Sequence, residues 1–315
     1  GIQPGPGLWR VEKDGRVMWV LGTVAPLPKR MEWNSAEVEA KVAAAGVVLM
    51  QPTVSVNTKG AMFGGLFLVP SMLKARNNPD KERLADVLPA ADYARWQGLK
   101  RKYLPRNDAV EKRRPFLAAM ELRAEAFDQQ DLSWRDIVGR VVKRAADKAD
   151  VPIERPNVQL TVENPKAAIK EFASSPVDDL ACFRRTLDQV ENDLGTLATR
   201  ANAWAQGATA MLRDLTYTDN AQACTDALLG TGLAKRSGFT DLPARVQAEW
   251  MAAAEKALAT HAESFAVLSM ARVVGPSGYL VALQERGYTV VAPDEADAAD
   301  SDSDAEAPAE APAAQ

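Results

Sequence analysis

The sequence has 315 residues and one histidine, His261. A lone imidazole excludes a zinc site built on several histidines and a His-Glu-x-x-His helix, and leaves a Ser-His-Asp triad only this residue to draw on. His261 sits at the end of an amphipathic stretch over residues 243–260, where a helix C-terminus favours it, so the expected role is capping. Long apolar runs are also missing. The longest, residues 61–73 (AMFGGLFLVPSML), is interrupted by Pro70 and reaches about half of the roughly 20 residues a spanning helix needs. A buried or lid helix is expected there, and no transmembrane segment. The glycines do not compose a phosphate loop, because Gly64-Gly65 and Gly230-Thr231-Gly232 lack the Lys-Ser/Thr and the preceding strand. Lys/Arg blocks interleaved with aromatics are absent, which argues against a nucleic-acid partner.

Cysteine is nearly absent too, with Cys182 and Cys224 alone. Cys182 lies early in a helical pattern over residues 177–206 and Cys224 in the pattern that returns after Thr218, so an antiparallel helix hairpin would bring them together. A disulfide, and with it an oxidising compartment, is the expectation; two independent buried thiols are the alternative. The chain begins at Gly1 rather than methionine, which fits removal of a signal segment and a periplasmic or secreted location.

What is present is an ordinary globular composition, 47% apolar and 25% charged, with a formal net charge of -4. Residues 293–315 hold eight acids and no base, so residues 1–292 carry four more bases than acids. That acidic tail has no aromatic residue and is expected to be disordered, as is a flexible lead-in over residues 1–7 (GIQPGPG). Between them, residues 8–292 read as one domain with a helical insert over about residues 60–240.

Periodicity supplies the fold. Residues 8–12 and 17–21 are short apolar runs around Asp14-Gly15, a hairpin turn, and a helix over 37–45 with Ser35 as N-cap and Gly46 as stop leads to a buried strand at 47–50. Helical spacing recurs over 90–103, 110–127, 134–149 and 177–229, with an extended piece at 156–162. The close mirrors the opening: helix 243–260, strand 264–270, turn at Gly275-Pro276, helix 277–286 and strand 288–292. The expected class is α/β, or α+β, with a mixed sheet drawn from both terminal segments around the helical insert. Ligands of such sheets bind beyond the carboxyl ends of strands, here after Leu21 and Leu268.

Carboxylates elsewhere have ordinary readings. Asp178 and Asp179 precede a helix, as N-terminal caps do, and Glu121 and Glu125 read as a solvated charge face with Arg123 and Lys112.

Two end segments carry a resemblance. LWRVEKDGRVMWVLGT (residues 8–23) resembles the opening of the TraB/GumN family, which includes the Tiki metalloproteases and pheromone-shutdown proteins, and ESFAVLSMARVVGPSGYLVALQERGYTVV (263–291) resembles its closing segment. RRPFLAAMEL (113–122) and RANAWAQGATAMLRDL (200–215) are similar to middle stretches of the periplasmic GumN-like members. The resemblance implies a metal-dependent hydrolase with two Gly-x-x-His motifs, an acid after the second buried strand, and an Arg-Asn pair in the last long helix. Position by position, Gly22 and the following Thr23 keep the first motif's opening, but Ala25 stands at its histidine. Gln51 stands at the acid, Ser269 and Arg272 at the second glycine and histidine, and Val246 and Gln247 at the Arg-Asn pair.

Such a set does not suit a divalent metal. Ala25 offers no lone pair, Gln51 only an amide carbonyl, and Arg272 a fixed positive charge that repels a cation. No metal, no cofactor and no catalytic residue are therefore expected. Arg272 suits an anion, a carboxylate or phosphate, or else a structural ion pair with Glu263 or Glu285. The expected function is a non-catalytic binding or regulatory protein of the bacterial envelope, with a small anion or a protein as partner. The alternatives are a hydrolase that works through carboxylates in a remodelled cleft, and an interaction protein that uses its helical insert.

Overall fold

The turn Asp14-Gly15 folds the opening hairpin because both residues take positive φ, 53° and 76°. In a computed structural model of the chain, residues 3–58, 64–192, 194–214, 220–275 and 277–295 are described. The hairpin joins β1 (Leu8–Lys13) to β2 (Arg16–Thr23); β3 (Leu27–Pro28), α1 (Ala36–Ala44), β4 (Val48–Leu49) and β5 (Thr53–Thr58) follow. The middle runs through α2 (Gly64–Ala75), α3 (Leu84–Val87), α4 (Ala90–Tyr103), α5 (Pro115–Gln129), β6 (Leu132–Ser133) and α6 (Ile137–Lys148). After β7 (Ile153–Glu154) and β8 (Asn157–Val162) come α7 (Pro165–Ser174), α8 (Leu180–Glu191), α9 (Leu194–Gln206), α10 (Thr209–Asp214), α11 (Asn220–Leu229) and α12 (Gly232–Arg236). The close is α13 (Leu242–Thr260), β9 (Glu263–Ser269), α14 (Met270–Val274), α15 (Tyr279–Glu285) and β10 (Thr289–Val291).

The main sheet has the order β10-β1-β2-β9-β4-β7. β2, β9, β4 and β7 run parallel, and β1 and β10 form an antiparallel flank. The mixed α/β sheet expected from both termini is present, and β7, from the middle of the chain, extends it by one edge strand. The central position of β9 explains its composition: Ser264 to Leu268 are all buried, as befits a parallel strand covered on both faces. Its core includes Val20, Leu21, Val48 and Leu49 from the sheet, Val38 and Val42 from α1, and Trp250, Ala254 and Leu258 from α13. A second core, built on Trp96, Leu122, Phe183 and Leu187, joins α4, α5 and α8.

One buried arginine locks the helical layer. Arg114, 2% exposed, donates to the carbonyls of Ala75 (2.9 Å), Ser175 (2.8 Å) and Phe172 (2.5 Å). These acceptors lie at the C-terminal ends of α2 and α7, where carbonyls lack helical partners and attract a cation. Asp179, 5% exposed, accepts the Phe116 N–H at 2.8 Å, so its carboxylate caps α5. It thus corrects the expectation that it caps the helix it precedes, α8. Burial pushes its pKa up to about 6, against the lowering effect of the Phe116 bond.

Further expectations change. Ser35 precedes α1, but its hydroxyl bonds Glu39 at 2.9 Å instead of a backbone N–H. Arg123 leaves the charge face, donates to Gln189 at 2.8 Å and lies over the Trp134 ring, because α5 packs on α8 there. The long pattern over 177–206 is two helices, α8 and α9, and the pairing partner of α8 is α11. Cys182 and Cys224 are bonded across these two helices, with Cα atoms 4.6 Å apart. The lead-in is seated from Gln3 on: Gly5 donates to the Ala205 carbonyl at 3.1 Å and approaches Asn34 too closely for any side chain. Of the acidic tail, Asp294 is held by Arg213 through two hydrogen bonds, and residues 296–315 lie outside the described residues. So do residues 61–63 of the apolar stretch and Pro276 of the expected turn.

Candidate functional site at the carboxyl edge of the sheet

Parallel strands place their carboxyl ends on one edge, and here four do so: Thr23 of β2, Ser269 of β9, Leu49 of β4 and Glu154 of β7. Thr23 and Ser269 are ladder partners. Gln51, two residues beyond β4, reaches across β9 and donates through Nε2 to Thr23 Oγ1 at 3.4 Å, while the Thr23 hydroxyl donates to the Leu268 carbonyl at 3.4 Å. The sheet thus brings Gly22, Thr23, Gln51 and Ser269 together.

Apolar packing fills the space behind them. Met270, buried, lies where a Cβ on Gly22 would stand, with Cε 2.7 Å and Sδ 2.8 Å from that position. Trp204 of α9 donates its indole N–H to the Gly22 carbonyl at 2.7 Å and packs edge-on against Trp33 at 5.1 Å. Glycine at 22 therefore makes room for a methionine tip, and its carbonyl is satisfied by an indole. Neither Met270 nor Trp204 was singled out from the sequence; the only signal was an aromatic residue amid the small residues of RANAWAQG.

Of the other expected residues, Ala25 and Arg272 lie on the segments that follow these strands and make no hydrogen bond to Thr23 or Gln51. Ala25 is exposed on the loop after β2, next to Pro26, through a cis peptide bond. Arg272 lies on α14, a short helix in place of the expected loop, and its guanidinium sits 5.3 Å from the centroid of the Tyr279 ring. Neither Glu263 nor Glu285 pairs with Arg272 among the described residues, so the ion pair expected for it is replaced by the aromatic contact. Val246 is buried against Val158 and Leu160 of β8, a core role.

The donor set does not fit a metal. Thr23, Gln51 and Ser269 offer neutral oxygens and an amide nitrogen. Among the described residues, no group of three His, Cys, Asp or Glu side chains stands ready to share an ion. Of the four strand ends only β7 ends in an acid, and Glu154 is exposed, with no hydrogen bond to Thr23 or Gln51. His261 is at the opposite end of β9, roughly 20 Å of strand away, packed on the Gly46 backbone. Its backbone N–H closes α13 on the Ala257 carbonyl at 3.0 Å.

The sequence matches the TraB/PrgY/gumN family over residues 7–292. The chain belongs to that family. A match of this span takes in both strand-loop ends and everything between them, so the TraB/PrgY/gumN assignment covers the whole six-stranded sheet and its helical layer. No curated protein and no solved structure matches the chain. No helix among the described residues of this TraB/PrgY/gumN protein is long and apolar enough to cross a membrane.

Proposed function

We propose that this TraB/PrgY/gumN-family protein is a non-catalytic binding protein of the bacterial envelope. The observation that carries the reading is the content of the sheet's carboxyl edge: a threonine, a glutamine and a serine, with no acid or imidazole bonded to them. A hydrolytic metal needs ligands that donate lone pairs and a place for an activated water. At this edge the oxygens bonded to one another are neutral, with no carboxylate or imidazole among them. The Cys182–Cys224 disulfide supports an oxidising compartment such as the periplasm or the exterior.

The ligand class that suits the edge is a small anion. The Ser269 hydroxyl and the Gln51 amide are neutral groups able to donate, and Arg272, three residues beyond Ser269 on α14, has no carboxylate partner among the described residues. Isothermal titration of the purified chain with Mn(II), Co(II) and Zn(II) tests the reading. No stoichiometric binding is expected, and tight binding of one ion per chain would overturn it.

A further inference from the structure

We infer that β5 is an open edge that takes an extended polypeptide segment from a partner as an added strand. β5 pairs with β8 alone, in parallel, as a two-stranded sheet apart from the main one. Thr53 donates to the Pro156 carbonyl at 2.9 Å, so the N–H and C=O groups of Thr53, Ser55 and Asn57 face β8. Those of Val54 and Val56 therefore point the other way, and among the described residues nothing meets them. The edge also lacks the usual protection, since TVSVNT contains no charge and no proline.

The side chains repeat the message. Val54 is 43% exposed and Val56 59%, and on α2 Val69, Met72 and Leu73 are exposed as well, with Met72 at 56%. Five of the eight large apolar residues exposed in the described chain thus belong to these two elements. Between them runs an apolar cleft of about 510 Å³, lined by Val56, Leu68, Met72, Leu117, Ile169 and Phe172, with Arg76 as its one charged group. Its walls α2 and α7 are fixed at their C-terminal ends by the Arg114 bonds, so the cleft is held open before any partner arrives.

The occupant follows from edge and cleft together. Unpaired backbone donors and acceptors at alternate positions are satisfied by another extended backbone. A residue paired opposite Val56 projects to the same face, into the cleft. A second copy of β5 would bring only threonine, valine, serine and asparagine side chains, which are too small to fill it. A partner strand that alternates large apolar residues with polar ones does fill it. This surface is independent of the Thr23–Gln51 edge and of whether that edge binds metal.

The test is fluorescence anisotropy with a short labelled peptide alternating threonine with leucine and phenylalanine, its backbone N-methylated on one edge in a control version. The full chain is expected to bind the unmethylated peptide saturably and the methylated one at least about tenfold more weakly, the equivalent of about one to two hydrogen bonds. Val56→Pro deletes an outward N–H while leaving the bonds to β8 intact, and edge strands accept proline there. It is expected to weaken binding by about tenfold at an unchanged melting temperature. No binding, or equal binding of the two peptides, would overturn the inference. So would a concentration-dependent dimer that Val56→Pro abolishes, since the edge would then serve a second copy.

Discussion

Asp179 shows how one buried carboxylate ties helix packing to pH. Its pKa of about 6 lies above the usual carboxylate value because burial penalises the charged form. The folded chain therefore binds this proton more tightly than the unfolded one, and the linked stability is fully present below about pH 4 and lost as pH rises through 6. A shift of this size corresponds to about 2–3 kcal/mol. Urea unfolding at pH 4.5 and 7.5 should show wild type losing most of that amount while Asp179→Asn, which keeps an acceptor for the Phe116 N–H, loses little. Equal pH profiles would contradict it. Trp204 is the second case at this scale: Trp204→Phe leaves the Gly22 carbonyl buried without its donor, at an expected cost of about 1–3 kcal/mol in urea unfolding. A change below about 0.5 kcal/mol would show that the bond adds no net stability.

Among the elements, the disulfide joining α8 to α11 makes the clearest prediction. It closes a loop with a sequence separation of 42, which in a chain-entropy picture stabilises by about 4 kcal/mol. Reduction, or a Cys182→Ser/Cys224→Ser variant, should lower the melting temperature accordingly, and two free thiols in non-reducing mass analysis would contradict the pairing. The elements also show what the sequence could reveal. The hairpin at Asp14-Gly15, the helix ending at His261 and the strand after it were legible because turn chemistry and apolar period agreed there. β7 was not, because two residues, Ile153 and Glu154, carry no period of their own. α14 escaped notice because its five residues fall where a strand was expected to run into a loop. The fate of Asp179 and Arg123 was hidden for another reason: it depends on α5 packing against α8, a contact between segments about 60 residues apart that no local pattern encodes.

For the whole molecule, family and fold were readable from the two ends, since the match spans residues 7–292. The site was half readable. Thr23 bonds Gln51 and is the ladder partner of Ser269, because parallel strands deliver their ends to one edge, while Ala25 lies on the loop after β2 and Arg272 on α14. What filled the space, the Met270 tip and the Trp204 indole, was visible only in three dimensions. The molecule as a whole has a six-stranded mixed sheet with neutral side chains at its carboxyl edge, and the separate strand β5 has no charge and no proline. The most direct measurement of that account is peptide hydrolysis by the purified full chain, supplied in turn with Mn(II), Co(II) and Zn(II) and followed by mass spectrometry. The account predicts that a peptide mixture stays intact under every condition; metal-dependent cleavage that a chelator abolishes would contradict it.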